Sequence, residues 1–262
     1  MVQLTDKSAV AELASLAWRT VGFIVERVVE DIGPKDLFDD LVGITVDEVS
    51  HKRWHRYLTI VTNLENGLCV WAGEGNGAAV LSRFFDELGA ERSRKIQVVA
   101  MDMSGGYLAA VREKAPGAEV IYDRFHIVKL LLDAVDAVRR EECALLEGDE
   151  RSDLKHTRFA LLRNPKHLRP KDRLAIERLQ ATNMRLTRAA LQSRLAPMQK
   201  FARTLRSHMD GVLGFIRWGD ITSGQAEGMN NKIKLLIHRA FGFHCAAAVM
   251  AMITLCCSGI TP

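Results

Sequence analysis

The chain of 262 residues predicts an α/β protein in which a mixed sheet is flanked by helices and interrupted by a helical insertion. Three short β-branched runs lie in the first third of the chain, and the run at residues 96–101, which is apolar apart from Gln97, is typical of a central strand buried on both faces. Apolar residues recur at helical spacing between and after these runs. A long basic stretch with helical character precedes the last two helices.

The N-terminal segment predicts two short helices between residues 8 and 30. The turn between them could belong to a helix-turn-helix, a pattern that many DNA-binding modules share. Any helical hairpin looks similar, so both interpretations stay open. Gly33 and Pro34 are expected to end the second helix.

The next elements are three strands. Residues 41–49 predict the first strand, and residues 57–62 and 68–71 predict two more. Asn66 and Gly67 separate the last two runs and indicate a hairpin, because both residues tolerate a positive φ angle.

Helices and strands then alternate along the chain. A helix at 78–88, a strand at 96–101, a helix at 107–114, a strand at 120–122 and a long helix at 125–140 are predicted in that order. Residues 151–217 are helical in pattern, and two helices at 227–239 and 246–256 follow. Three antiparallel strands followed by alternating helices and strands form the layout of a ribonuclease-H-like fold.

This order of elements predicts four regions. They are a helix-turn-helix-like remnant at 1–33, the first part of the ribonuclease-H-like core at 40–140, a basic helical insertion at 141–218, and C-terminal helices that complete the core at 219–262.

Charge is distributed unevenly along the chain, although the net charge is only +4. Residues 151–218 carry 16 basic and 4 acidic side chains, whereas residues 1–150 carry 17 basic and 26 acidic ones. A compact basic region is the pattern of a surface that binds a polyanion such as DNA. A solvated helical surface has the same composition, so charge alone does not decide between them.

Cysteine usage and hydropathy exclude several classes of protein. The five cysteines form no CxxC pair, so neither a zinc site nor a disulfide framework is indicated, and reduced, buried thiols are expected. No apolar run reaches the length of a membrane span, and the N-terminus lacks a basic-then-apolar signal sequence. We therefore expect a cytoplasmic protein with no membrane partner.

Three acidic residues stand where chemistry is expected. Asp47 lies in the first predicted strand, Asp102 directly follows the fourth, and Glu227 opens an amphipathic basic helix. In the predicted sheet Asp47 and Asp102 are neighbours, and a late helix could bring Glu227 to the same point. Carboxylates gathered in this way bind divalent metal ions and suit phosphoryl transfer on nucleic acid. The lack of a His/Cys cluster argues against zinc.

Each of the three acids also has a structural interpretation. Glu48 competes with Asp47, since adjacent strand residues point to opposite faces of a sheet. Asp102 could cap the helix that follows it. Glu227 could be a first-turn acid that the helix dipole favours. From the residues alone these alternatives stay open.

Several other residues are candidates for the same site. Asp123 and His126 follow a strand and could lie beside the carboxylates; Asp123 could also cap the next helix, and His126 could orient a phosphate or assist proton transfer. Asn231 lies one turn after Glu227 on the same face. The candidates for contact with DNA phosphates, or else for solvated charges, are Lys232, Lys234, His238 and Arg239.

At these residues the chain resembles the DDE transposases of the ISL-three group of bacterial insertion sequences. The matching segments are VDEVSHKRWHRYLTIV, FFDELG, VVAMDMSGGYLAAVREKAPGAEVIYDRFHIVKL, LKHTRFALLRNP, FARTLRSHMDGVL and SGQAEGMNNKIKLLIHRAFGF. They run in family order from about residue 7 to the end of the chain, and their combination is far more specific than any single motif.

The resemblance implies a function and a set of partners. The family's three catalytic, metal-binding carboxylates fall at Asp47, Asp102 and Glu227, and they imply a site for two Mg²⁺ or Mn²⁺ ions. The implied reaction cuts the end of an insertion sequence and joins it to target DNA. The implied partners are double-stranded DNA, as terminal inverted repeats and target, and further copies of the chain on the bacterial nucleoid. The start of the family's recognition helix is matched by Trp18, Arg19 and Thr20.

The chain also departs from the family pattern. Family members are usually longer and begin with a Cys-rich zinc-binding segment and a full helix-turn-helix region. Their helical insertion is longer between the segments matched here by RLQATNMRLTRA and SRLAPMQKFA. We therefore expect a truncated member, and a catalytically inactive remnant that only binds DNA or inhibits a full-length relative is the alternative function.

Overall fold

The computed structural model describes residues 7–32, 37–52, 56–163, 165–181, 196–218, 224–240, 243 and 245–259. It divides the chain into two compact units. We call Met1–Asp123 with Leu213–Pro262 the sheet unit, and Arg124–Val212 the helical unit. Each is considered by itself, and the four finer regions expected from the sequence stay predictions.

The sheet unit is built on one five-stranded mixed sheet. Its strands are β1 (Gly43–Lys52), β2 (Arg56–Asn63), β3 (Cys69–Glu74), β4 (Val98–Met101) and β5 (Glu119–Tyr122). Their order across the sheet is β3-β2-β1-β4-β5. The first three strands are antiparallel, whereas β4 runs parallel to β1 and β5 parallel to β4. This arrangement confirms the predicted fold class, a ribonuclease-H-like mixed sheet flanked by helices.

The hairpin between β2 and β3 turns at the predicted residues. The Asn63 N–H donates to the Leu68 carbonyl at 2.9 Å, and the Leu68 N–H donates to Oδ1 of Asn66 at 2.9 Å. Gly67 has a φ of 69°, a backbone conformation that glycine adopts without steric cost. The connection is therefore a loop in which Gly67 supplies the positive φ and Asn66 supplies a side-chain acceptor.

Helices account for most of the remaining described chain. They are α1 (Lys7–Leu13), α2 (Trp18–Ile32), α3 (Ala78–Leu88), α4 (Ala90–Ser93), α5 (Gly105–Lys114), α6 (Arg124–Leu145), α7 (Gly148–His156), α8 (Arg158–Leu162), α9 (Pro170–Ala181), α10 (Ala196–Ser207), α11 (Met209–Trp218), α12 (Gly224–Arg239) and α13 (Ala246–Cys257). The predicted pair of N-terminal helices is present as α1 and α2, which are bent by 108° relative to each other. Gly33 and Pro34 lie outside the described residues.

Two sets of helices cover the two faces of the sheet. On one face α5 approaches β2, where the Thr59 hydroxyl lies 3.0 Å from the hydroxyl of Tyr107. On the other face α2, α12 and α13 form an apolar core with side chains of β1 and β2. Members of this core include Val25, Val49, Leu58, Ile60, Met229, Ile233, Val249 and Ile253. Because side chains alternate along a strand, Val49 and Asp47 face the α12 side and Glu48 faces the other.

The C-terminal part of α11 packs on β5. A Cβ atom at Gly214 would lie 3.0 Å from the carbonyl oxygen of Val120, so a glycine allows this close approach. Arg217, one turn further along, forms an ion pair with Glu119 at 3.1 Å.

Charged pairs recur in the described part of the helical unit. The Arg139 guanidinium donates to Asp136 at 2.9 Å, and both side chains are buried in α6. Arg158 of α8 lies 3.6 Å from the same carboxylate. At the start of α9, Asp172 accepts a hydrogen bond from Arg169 at 3.0 Å. Residues 182–195, within the predicted helical insertion, are outside the described part.

Within the described ranges, no single helix is long and apolar enough to cross a membrane. The bent pair α1–α2 reaches the length and apolar composition of a membrane span only when its two helices are taken together.

Candidate active site

The register of three neighbouring strands brings aspartates to the same level across the sheet. In the parallel ladders Val46 of β1 is opposite Met101 of β4, and Met101 is opposite Tyr122 of β5. The residue that follows each of these three is an aspartate. We call this set the aspartate row, which consists of Asp47, Asp102 and Asp123.

Asp102 and Asp123 of the aspartate row lie close together. Residues at the same level of adjacent strands point the same way, and neighbouring strands lie about 4.8 Å apart. A carboxylate oxygen of Asp102 lies within 4.8 Å of one of Asp123. The Asp123 N–H donates to the Met101 carbonyl at 3.2 Å, which continues the ladder past the end of β5. All three carboxylates are half-buried, so a ligand in solution can reach them.

Asp47 is oriented by two hydrogen bonds. The Glu48 backbone N–H donates to Oδ1 of Asp47 at 2.7 Å, and the side-chain amide of Asn230 donates to Oδ2. An ionised carboxylate only accepts hydrogen bonds, so the NH₂ group of Asn230 must be the donor. Asn230 is buried in α12, and this contact therefore ties α12 to β1 beside the aspartate row.

Glu48 lies on the opposite face of the sheet. Its carboxylate accepts a hydrogen bond from the Asn76 side chain at 3.3 Å and lies beside the hydroxyl of Tyr107. Burial raises the pKa of Tyr107 well above its ordinary value, with the Glu48 charge adding to the effect. Of these two neighbouring acids, only Asp47 faces α12.

The segment after β4 turns directly into α5. Ser104 occupies the N-cap position, and its N–H donates to the backbone carbonyl of Asp102 at 2.7 Å. Asp102 therefore precedes the cap and is not itself the N-cap residue. At Gly106 a Cβ would lie 3.1 Å from the Ala78 nitrogen, so the starts of α5 and α3 approach closely. Gly106 thus has a packing role.

Glu227 lies in the first turn of α12, where it is exposed. It precedes Asn230 by three residues and belongs to the helix that contacts Asp47. In the described ranges neither Asp47 nor Glu227 belongs to a group of three or more His, Cys, Asp or Glu side chains whose ligand atoms lie within 4.8 Å of one another. Direct approach of Glu227 to the aspartate row stays a prediction.

The other predicted site residues have diverse surroundings. His126 is in the first turn of α6, at the beginning of the helical unit. Asn231 is exposed, whereas its neighbour Asn230 is buried. Sequence reasoning missed Asn230, although it lies three residues after Glu227 and is flanked by Met229, which is buried in the same core.

Lys232 and Trp18, two of the predicted DNA-binding residues, contact other groups of the protein. Lys232 donates to the carbonyl of Cys256 at 2.6 Å, and Trp18 lies beneath the ammonium group of Lys7 at 3.5 Å from the ring centre. The side chains of Lys234, His238, Arg239 and Thr20 are exposed, as are those of Lys232 and Arg19; Arg19 also lines a pocket of about 250 Å³ with Trp18 and Phe23. Their roles in DNA binding stay predictions.

The donor set at the aspartate row consists of carboxylate oxygens. Oxygen ligands of this kind fit hard divalent cations such as Mg²⁺ and Mn²⁺. All five cysteines are free of disulfides, and burial raises the pKa of the Cys257 thiol to about 11.

Comparison with known proteins identifies similar chains. A family model described as "Transposase", that of the ISL-three (ISL3) DDE group, matches residues 44–190 and 183–253. The transposase for insertion sequence element IS1557 of Mycobacterium tuberculosis is 32% identical over 309 residues, which cover 98% of this chain and 69% of the relative. The transposase for insertion sequence element IS1001 of Bordetella parapertussis is 26% identical over 275 residues, or 93% of this chain and 68% of the relative.

The family match is divided into two pieces within the helical unit. The IS1557 alignment of 309 residues is longer than the chain, so part of that relative aligns with no residue here. The two matched pieces of the family model meet at residues 183–190. This is where the sequence predicts a shortened helical insertion.

Proposed function

The chain belongs to the ISL3 family of DDE transposases, and we propose that it cuts and rejoins DNA at the ends of an insertion sequence with carboxylates held at one edge of its sheet. The observation that carries this proposal is the parallel pairing of Val46 with Met101, since Asp47 and Asp102 are the residues that directly follow them.

The residues proposed to hold divalent ions are Asp47, Asp102 and Glu227, with Asp123 beside them. Bound Mg²⁺ or Mn²⁺, as two ions, would stabilise charge on the oxygens of a scissile phosphate and activate a water or a 3′-hydroxyl. Asp47 is suited to the role of ligand because two donors orient its carboxylate. Asp102 is suited because it directly follows a buried strand, which limits its movement.

Exposed cations on α12 support a nucleic-acid substrate. Lys234 and Arg239 lie on the helix whose first turn contains Glu227, and their charge would hold DNA phosphates close to the carboxylates; His238 on the same helix could donate a hydrogen bond to a phosphate. His126 is proposed to orient a phosphate or assist proton transfer. The N-terminal helices, with Trp18 at the start of α2, are proposed to contact DNA sequence elements.

The proposed substrates are the terminal inverted repeats of the element and a target duplex. Strand transfer joins two distant DNA ends, so we propose that copies of the chain assemble on the DNA. The site of action would be the bacterial nucleoid.

The test is a cleavage assay with the purified chain and labelled duplexes that carry the terminal inverted repeats of the element encoding it. We expect cleavage at the repeat boundary with Mg²⁺ or Mn²⁺, none with EDTA, and joined products when a target duplex is added. The Asp102→Asn variant should still bind the repeats without cutting them. Binding without metal-dependent cleavage by the unmodified chain would instead assign a non-catalytic, DNA-binding or inhibitory role.

A further inference from the structure

We propose that Asn230 is a positioning residue of the metal site: its amide orients the Asp47 carboxylate and fixes the register of α12 against β1. This inference rests on the proposed function of the aspartate row. It concerns a contact between residues 183 positions apart in the chain, which joins the first strand of the sheet to its penultimate helix.

The contact is a polar link within an apolar interface. Asn230 is 8% exposed, and Met229 and Ile233 on the same helix pack into the core that includes Val49 of β1. Apolar packing is not directional, so it permits a helix to rotate or slide over a sheet at modest cost. A hydrogen bond from a buried amide to one carboxylate oxygen has a narrow geometry, so it selects one placement of α12.

The chemistry of an amide suits this position better than that of a cation. A lysine or arginine would neutralise Asp47 and compete with a metal ion for it. The neutral Asn230 side chain leaves the full negative charge in place. An ionised carboxylate has about four lone-pair positions. The Glu48 N–H and the Asn230 amide each donate to one oxygen of this carboxylate, and neither donor carries a positive charge that would oppose a metal ion.

The position of Asn230 also relates Asp47 to Glu227. Residues three apart lie on neighbouring parts of one helix face, about 4.5 Å apart along the axis. Fixing Asn230 on Asp47 therefore sets the distance between Glu227 and the aspartate row. In this way one hydrogen bond couples the orientation of a strand ligand to the placement of a helix ligand.

The test compares two variants that both lack this donor and differ in side-chain volume. Asn230→Leu removes the donor and retains most of the volume, and Asn230→Ala removes both. Leu235→Ala trims an exposed side chain of the same helix and serves as the control. Mn²⁺ alone is titrated against each full-length chain and followed by electron paramagnetic resonance, with thermal unfolding measured in parallel.

Removal of the positioning donor is expected to weaken Mn²⁺ binding by about 10- to 100-fold in both Asn230 variants, as for other groups that orient metal ligands. Leu235→Ala should bind Mn²⁺ as the unmodified chain does. In the cleavage assay, kcat should fall by a similar factor while KM for DNA changes little. If Asn230→Leu does not fold, Asn230→Val, which also lacks the donor and is smaller than leucine, takes its place beside Asn230→Ala.

Two results would overturn the inference, and they are distinguishable. If the unmodified chain binds Mn²⁺ and a folded Asn230 variant binds it within about twofold, Asn230 has no positioning role and the proposed function stands. If Asn230→Leu retains affinity while Asn230→Ala loses it, the side chain acts through its volume alone. Failure of the unmodified chain to bind Mn²⁺ would refute the proposed metal site itself.

Discussion

The sheet unit and the helical unit are stabilised in different ways. In the sheet unit, branched side chains of β1 and β2 such as Ile44, Val49 and Leu58 are fully buried. In the described part of the helical unit, the buried apolar residues are Ala134, Val138, Leu154 and Ala160. Charged side chains such as Asp136, Arg139 and Asp172 are buried beside them, and α10 has no buried residue.

The difference matches the two tasks proposed for the molecule. Metal ligands must be held to within fractions of an ångström, and backbone pairing in a buried sheet provides such a fixed frame. A surface for a polyanion needs exposed charge more than a fixed frame. The helical unit presents exposed cations, and the interrupted family match at 183–190 lies in it. The part of the chain that differs in length from its relatives is therefore distant in sequence from the aspartate row.

The largest expected effect is the loss of catalysis from a single change in the sheet unit. Asp102→Asn keeps the shape of the side chain and removes its charge, and we expect cleavage to fall by at least about 10²- to 10³-fold. Asp133→Asn, on an exposed position of α6 in the helical unit, is the matched control and should cut at the normal rate. Equal losses in both variants would contradict the assignment of chemistry to the sheet unit.

The two units should also respond differently to removal of an apolar side chain. Leu58→Ala, at a fully buried position of β2, should lower the free energy of unfolding by about 2–5 kcal/mol. Leu174→Ala in α9, where the side chain is 50% exposed, should change it by less than about 0.5 kcal/mol. Urea denaturation followed by circular dichroism measures the free energy of unfolding of both variants. Similar losses in Leu58→Ala and Leu174→Ala would contradict the distinction between the units.

Charge pairing is expected to be a main source of stability in the helical unit. Asp136→Ala leaves the buried Arg139 without its nearest anion, so we expect the free energy of unfolding to fall by about 3 kcal/mol. The exposed pair between Arg92 and Asp39 in the sheet unit is the comparison, and Asp39→Ala should cost no more than about 1 kcal/mol. The measurement is the free energy of unfolding of Asp136→Ala and of Asp39→Ala. A negligible effect of Asp136→Ala would argue against stabilisation by buried ion pairs.

The smallest expected effect per residue concerns DNA affinity. Arg203 and Arg206 are two exposed cations of α10, and neutralising either should reduce the slope of log affinity against log salt by about 0.9 for each DNA phosphate that it pairs with. Mn²⁺ binding should not change. Fluorescence anisotropy at several salt concentrations measures the slope, with Arg94→Gln on the sheet unit as the control. An unchanged slope for both α10 variants would exclude this helix from the DNA surface.

The aspartate row can be anticipated from the sequence because alternation and strand order are encoded locally. The apolar run before Asp102 and the β-branched run around Asp47 predict strands, and parallel neighbours align their ends. The position of Asp123 after a third strand follows from the same rule. Alternation also predicts that Asp47 and Glu48 point in opposite directions, but only the packing of α5 and α12 shows which face each one occupies.

Asn230 could not be selected from the sequence. Asn230 and Asn231 lie three and four residues after Glu227, and both are compatible with one helix face. The choice depends on how α12 is rotated against the sheet, which its packing on β1 and α13 determines. For the same reason, the sequence shows the basic composition of the helical unit but not the pairing of Asp136 with Arg139.

Convergence of carboxylates from β1, β4 and α12 on one divalent ion can be measured directly. Fe²⁺ replaces Mg²⁺ at oxygen ligands, and with peroxide it generates radicals that cut the nearby polypeptide backbone. We expect fragments that end near Asp47, Asp102 and Glu227, and their disappearance in Asp102→Asn. Cuts confined to other regions, or a pattern that includes β1 and β4 but never α12, would contradict the proposed site.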